Sequence, residues 1–445
     1  MSVGEVAGRV PCASRYLFDM HIEIVTIGDE LLLGFTIDTN AAHLARELAA
    51  LGVRIVRRAT VGDEPADITT AIREALDRTG AVITTGGLGP TADDRTKPAI
   101  ASIFGREMVL DTSVLENLEQ RWLKRFGVAM PESNRQQAMV PEGATILPNR
   151  HGSAPGIWLE DDRGRWVAMF PGVPREMRGM VADTLLPRLR DRIPAGGTVV
   201  RSRTLRTASI SESAIADRLG ALGRGVDGLS LAFLPGIDGV DLRLTSTQFG
   251  AADTERRLTA AAAQLREKVG QYIYGEGDDD LAALMLSACA ERQVTIAVAE
   301  SCTGGLLGAR LTAIPGSSAV VQGGIIAYAN EVKVRELGVP APVLTEHGAV
   351  SEPVARAMAT GVRLRFDTQV GIGITGIAGP SGGTPEKPVG TVWVAVDVNG
   401  DVHAVRAVIP GDRQEIRQRA AQLALDRLRR AFSRETALEG WTVRA

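Results

Sequence analysis

Three stretches near the C-terminal end carry the residues best suited to chemistry: Ala299–Gly305 (AESCTGG), Pro315–Lys333 (PGSSAVVQGGIIAYANEVK) and Gly373–Gly383 (GITGIAGPSGG). The first follows the apolar run VTIAVA and is expected to open a helix. That sets Ser301, Gly304 and Gly305 at a helix N-terminus, where amides can receive an anion or a developing oxyanion. In the second, Ser317 and Ser318 follow a Pro-Gly pair, and Tyr328 and Lys333 lie beyond an expected strand. A serine becomes a useful nucleophile when a base takes its proton, and Ser–Lys pairs are an established variant of the triad. The lysine serves only when neutral, so burial or a cationic neighbour must lower its pKa from roughly 10 toward 7–8. Serines after Pro-Gly are also common turn and cap residues, and a lysine opening a helix is ordinarily solvated, so spacing leaves both readings open. Cys302 is a rival nucleophile, because a helix N-terminus lowers a thiol pKa. No histidine motif accompanies it: the five histidines are scattered and none forms a zinc spacing.

A second constellation lies near the N-terminal end. Acidic pairs fall at the ends of expected strands: Asp29 with Glu30, Asp63 with Glu64, and Asp93 with Asp94. Carboxylates gathered at the ligand-binding edge of a parallel sheet suit a hard divalent ion. Gly86, Gly87 and Gly89 let backbone amides approach an anion closely. Together these groups suit a metal–phosphate ligand, although the same acids are also common in loops and at helix N-caps.

The elements that must position these groups follow from patterning. HIEIVTIG, VRIVRRATV and AVITT read as buried strands, separated by helices over Asn40–Leu51 and Pro65–Arg78. Strands alternating with helices of that length build parallel βαβ units, hence a doubly wound α/β sheet with ligands beyond the carboxyl ends of its strands. Composition turns to Pro, Gly and Arg around Pro187–Gly197. A β-α-β-β-α-β order then spans TVVRSRTLRT to QYIYG, the split βαβ pattern of a small α+β domain. The acidic run Gly275–Asp280 reads as a linker, and an α/β rhythm resumes to a last helix over Asp412–Phe432. Three domains are expected, over 20–190, 196–275 and 278–435. Residues 1–19 show no signal-peptide pattern, and the fold is expected to begin near Met20.

Bulk properties narrow the function classes. The chain has 445 residues, 44% hydrophobic and 23% charged, enough for several buried cores. A net charge of -3 without basic clusters and an aromatic content of 4% argue against a nucleic-acid partner. Three unpaired-looking cysteines, Cys12, Cys289 and Cys302, fit a reducing cytoplasm. No run approaches the roughly 20 apolar residues of a membrane span.

The motifs GDELLLG, DTN, GGLGPTADDRT, HGSAPG and FPGVPREM, in this order, resemble the CinA family, whose first domain is similar to the molybdopterin-binding MoaB and MogA proteins. That resemblance implies hydrolysis of ADP-ribose to AMP and ribose 5-phosphate, with a divalent metal (Mg or Co) and potassium. It makes Asp63, Asp93 and Asp94 candidate metal or catalytic groups and Gly86, Gly87 and Gly89 phosphate binders. Asn149–Ser153 and Arg175–Glu176 would close the same cleft. ESCTGG, PGSS, GGxxxYxNxxK, GITGIAGPxGG and GDR resemble the PncC family of nicotinamide-nucleotide amidases, the C-terminal half of CinA proteins, a three-layer α/β domain. That implies hydrolysis of nicotinamide mononucleotide to nicotinic acid mononucleotide and ammonia, without a cofactor. Carried over motif by motif, Ser318 is the nucleophile and Lys333 its base, and Tyr328 orients the lysine or relays a proton. Ser301, Thr303, Gly304 and Gly305 hold the substrate, Thr375 contacts it, and Arg413 binds its phosphate; Ser301 is the next candidate nucleophile. A homodimer is the family expectation. The competing readings are a pterin-binding protein and a competence-linked interaction protein without turnover.

Overall fold

The computed structural model describes residues 20–91, 93–193 and 199–439, the last six of these by backbone alone. The expectations for residues 1–19, Cys12 included, lie outside the described residues. The described chain falls into two compact units. One runs to Arg201 and includes Ser246–Arg256; the other comprises Ser202–Thr245 and the residues from Arg257 onward.

In the first unit, β1 (Met20–Ile27), α1 (Thr39–Ala50), β2 (Val53–Val61), α2 (Pro65–Thr79) and β3 (Ala81–Thr85) alternate as expected. Asp38 caps α1 by accepting the Ala41 amide, and Pro65 opens α2 while Gly80 closes it in the left-handed region. Helices α3 (Thr96–Ile103) and α4 (Thr112–Phe126) follow, then β4 (Thr145–Leu147), β5 (Gly156–Glu160), β6 (Trp166–Phe170) and α5 (Pro174–Met180). The sheet order is β2-β1-β3-β6-β5-β4. The first four strands are parallel, and the two pairings that extend one edge, β6 with β5 and β5 with β4, are antiparallel. β1 is buried on both faces. Ile22 and Ile24 pack with Leu44 and Leu48 of α1, and Val25 and Ile27 pack with Ile68 and Ile72 of α2. Helices on both faces make the sheet doubly wound, and its carboxyl-terminal edge carries the glycine loop.

Next along the chain is a four-stranded sheet of β7 (Arg201–Thr207), β8 (Ser230–Pro235), β9 (Val240–Ser246) and β10 (Ile273–Glu276), with α6 (Glu212–Leu219) and α7 (Ala251–Val269) between strands. Its order, β8-β9-β7-β10, is that of a split βαβ unit. The expected linker is instead an ordered turn: Asp279 accepts the Glu276 amide, and Asp280 caps α8 (Leu281–Glu291) through Ala282 and Ala283.

After α8 come β11 (Ile296–Glu300), α9 (Leu306–Thr312), β12 (Val321–Ile326), α10 (Asn330–Leu337), α11 (Ala341–His347) and α12 (Glu352–Arg365). The chain ends through β13 (Val370–Gly376), β14 (Thr391–Val398), β15 (Asp401–Val408) and α13 (Arg413–Glu439). The sheet order is β12-β11-β13-β14-β15, parallel over its first three strands and antiparallel over the last two pairings. Alternate residues of β11 face opposite layers: Ile296 and Val298 pack with α8, α9 and α13, while Ala297 and Ala299 pack with α10 and α12. This is the expected three-layer α/β arrangement, and it sets the carboxyl end of β11 between β12 and β13.

Candidate active site

Ser301 is the first residue beyond β11, and its amide donates to the Ile374 carbonyl of β13 at 2.9 Å. On the other side the parallel register pairs Glu300 with Ile326, and the Ala327 amide donates to the Glu300 carbonyl at 2.8 Å. The chain turns there into α10, whose first turns send Lys333 inward. Lys333 is only 1% exposed. Its Nζ donates to the carbonyls of Ala327 at 2.8 Å and Tyr328 at 3.0 Å, and to Ser301 Oγ at 3.2 Å. Burial lowers its pKa, opposed by the neighbouring Cys302 and by the Glu331 carboxylate. A neutral amine has two protons and one lone pair. With two carbonyls taking the protons, the lone pair is left for the Ser301 hydroxyl, the geometry a general base requires.

The serine brought to Lys333 is therefore Ser301. The expected Ser318–Lys333 pair is not formed: Ser318 is exposed in a turn over Ser317–Ala319, and all three acceptors of Lys333 lie elsewhere. Cys302 is buried, and desolvation pushes its thiol up to about 12, which removes it as a thiolate nucleophile.

The helix N-terminus is also not an open anion site. Glu300, 1% exposed, turns its carboxylate into it and accepts the amides of Gly305 at 3.0 Å, Leu307 at 3.1 Å and Gly308 at 2.8 Å. The Gly304 amide donates to the Ser301 carbonyl. Gly304 and Gly305 thus shape the turn rather than offer free donors. A buried glutamate ending an apolar strand just before a glycine-rich turn was the signal for this internal cap.

Tyr328 does not reach the lysine with its phenol, only with its main-chain carbonyl. Its ring is 60% exposed, and its hydroxyl accepts Arg413 Nη2 at 3.0 Å. Arg413 also donates to the Gly379 carbonyl at 2.6 Å, tying the GIAGP loop to the same rim. Thr375 is buried, and its hydroxyl donates to the Ala349 carbonyl at 2.8 Å, so it braces a loop instead of facing a ligand. The Thr303 hydroxyl is buried without a partner among the described residues. Its carbonyl is held by Arg417 at 3.2 and 2.8 Å. Sequence reasoning missed Arg417, one turn beyond Arg413 on the same helix.

In the first unit, a cavity of about 510 Å³ is lined by Gly86, Gly87, Gly89, Asp63, Asp93 and Asp94 together. Gly86 and Gly87 have φ of 110° and 65°, values a side chain rarely adopts, and a Cβ on Gly86 would strike the Ile27 carbonyl. Asn40, from the DTN segment, lines the cavity with a buried Oδ1 that has no partner among the described residues. The three aspartates do not form a metal cage. Asp94 accepts the amides of Gly89 at 2.7 Å and Thr91 at 2.8 Å, and the Thr91 hydroxyl at 2.5 Å. Asp63 accepts the Asp29 amide at 3.1 Å. Among the described residues no group of three or more His, Cys, Asp or Glu side chains closes round one point. The Asp63 carboxyl is pushed up, chiefly by burial, with the Asp29 amide pulling it down and Asp29, Glu30 and Asp93 adding to the rise. Ser153 and Glu176 line the same wall, and Asn149 donates to Glu176 at 2.6 Å.

Residues 23–191 match a family model described as "Probable molybdopterin binding domain", 202–275 one described as "Damage-inducible protein CinA KH domain", and 278–432 one described as "CinA C-terminal domain". The chain is similar to the CinA-like protein of Gemmatimonas aurantiaca, 78% identical over 427 residues that cover 96% of this chain and all of that one. It is similar also to the CinA-like protein of Anaeromyxobacter sp., 44% identical over 93% of this chain and 99% of that one. Among solved structures it resembles the competence/damage inducible protein CihA of Agrobacterium tumefaciens, 41% identical over 34% of this chain and 92% of that one, with a TM-score of 0.33. Among the described residues no helix is long and apolar enough to cross a membrane.

Proposed function

The chain belongs to the CinA family, and from that premise we propose that its last domain is a serine–lysine amidase acting on nicotinamide mononucleotide. The observation that carries the reading is the buried Lys333 amine, held by two carbonyls and 3.2 Å from Ser301 Oγ. Ser301 Oγ attacks the carboxamide carbon while Lys333 takes its proton. The tetrahedral intermediate collapses as Lys333 returns the proton to nitrogen, releasing ammonia and leaving an acyl-Ser301. Water then attacks the ester, its proton passing to Lys333 and on to Ser301 as the acid departs. Arg413, exposed on the rim, binds the phosphate.

The test is ammonia release from nicotinamide mononucleotide by the full chain and by Ser301→Ala, Lys333→Ala and Ser318→Ala. The first two are expected to abolish release and the third to keep it. Activity in Ser301→Ala would overturn the assignment.

A second reading concerns the first unit. The cavity that gathers the glycine loop and Asp63 supports a nucleotide site, with ADP-ribose as the proposed substrate. Among the described residues the carboxylates do not fit a metal held by the protein alone. Incubation with ADP-ribose and Mg²⁺ or Co²⁺ tests it by the appearance of AMP; tight molybdopterin binding without AMP would favour a pterin-binding role.

A further inference from the structure

A second cavity, of about 720 Å³, adjoins the first and shares four wall residues with it: Gln137, Ser153, Val173 and Glu176. The two have opposite linings. The glycine-loop cavity is lined by six carboxylates and no lysine or arginine. The adjoining one is lined by five cationic side chains (Arg121, Lys124, Arg125, Arg150 and Arg175) and a single carboxylate, Glu176. Arg121 is committed to structure, donating to the carbonyls of Asn149 at 2.8 Å and Gly152 at 2.6 Å. The other four are exposed.

The same wall offers flat surfaces. Trp122 and Phe126, one turn apart on α4, have ring centroids 4.5 Å apart. The Arg125 guanidinium sits 5.3 Å over the Phe126 ring. The Trp122 indole N–H is buried without an acceptor among the described residues, a donor that lacks its ordinary partner. Stacking faces, a spare donor and a surplus of cations suit a flat ring with acceptor atoms that carries a negative group. The acid-lined neighbour excludes such a group unless its charge is screened there.

We propose that this basic cavity binds the nucleobase-and-phosphate end of a nucleotide whose other end reaches the glycine loop. It rests on the reading of the first unit as a nucleotide site, but needs no hydrolysis there. The ring stacks on Trp122, while Arg150 and Arg175 hold the phosphate. Glu176 and Gln137 form the threshold between the two halves.

Isothermal titration of the full chain with AMP tests this, with ribose 5-phosphate as the phosphate that lacks a base. AMP should bind at least about tenfold more tightly than ribose 5-phosphate. Trp122→Leu should remove that advantage, and Trp122→Phe should restore most of it. Arg150→Ala with Arg175→Ala should weaken AMP about tenfold and flatten its salt dependence. No AMP binding below about 10 mM, or equal binding of the two phosphates, overturns the proposal. Trp122-dependent AMP binding without ADP-ribose hydrolysis would instead sink the hydrolase reading alone.

Discussion

Arg413 and Tyr328, 85 residues apart, are joined by a 3.0 Å hydrogen bond from guanidinium to phenol oxygen, while the carbonyl of the same tyrosine accepts the Lys333 amine. One residue thus contacts the rim cation with its side chain and the buried base with its main chain. Arg413→Ala is expected to raise KM for nicotinamide mononucleotide about 10- to 100-fold, ~1.5–3 kcal/mol for a charge-assisted bond, with kcat within a few-fold. Steady-state ammonia release measures both constants. A fall in kcat at unchanged KM would move Arg413 into the chemical step.

In the proposed mechanism Lys333 acts as a base only when uncharged, and burial lowers its pKa. The acid limb of kcat/KM should therefore lie below the ordinary lysine value near 10.5, with rate rising through it and then levelling. Glu331 raises that pKa, so Glu331→Gln should move the limb to lower pH. Linkage has the same sign. Between the folded and unfolded pKa values the unfolded chain holds the extra proton, so this group's contribution to stability grows as pH rises toward 10.5 and is lost as pH falls. Lys333→Met should flatten that slope.

Cys302 lies next to the proposed nucleophile, but its thiol is pushed up to about 12 by burial. Cys302→Ala should retain ammonia release to within about threefold, and the native protein should resist iodoacetamide at pH 8. Rapid inactivation by alkylation, prevented by the alanine variant, would contradict this.

Much of the fold was legible in the sequence because period and punctuation agree: α2 begins at Pro65 and stops at Gly80, and AVITT is a strand buried at every position. The choice between Ser301 and Ser318 was not legible. It depends on which strands flank β11 and in what register, and β12 and β13 meet it from distant parts of the chain. The antiparallel half of the last sheet did have a local signal. Asn399 and Gly400, both at positive φ, form the turn of a hairpin between two runs of alternating hydrophobicity.

Glu300 satisfies three amides from within the protein. Glu300→Ala would leave those donors buried and unpaired, with an expected loss of about 3 kcal/mol in unfolding free energy, measured by denaturant titration. Glu300→Gln, with one acceptor oxygen, should lose less. Unchanged stability in the alanine variant would mean that water replaces the carboxylate freely.

The amine of Lys333 is held in place by two peptide oxygens. Those oxygens are present whatever residues stand at 327 and 328, so the position of the amine is insulated from substitution at those two sites. Mutational drift can alter the rim of this domain while leaving that placement untouched.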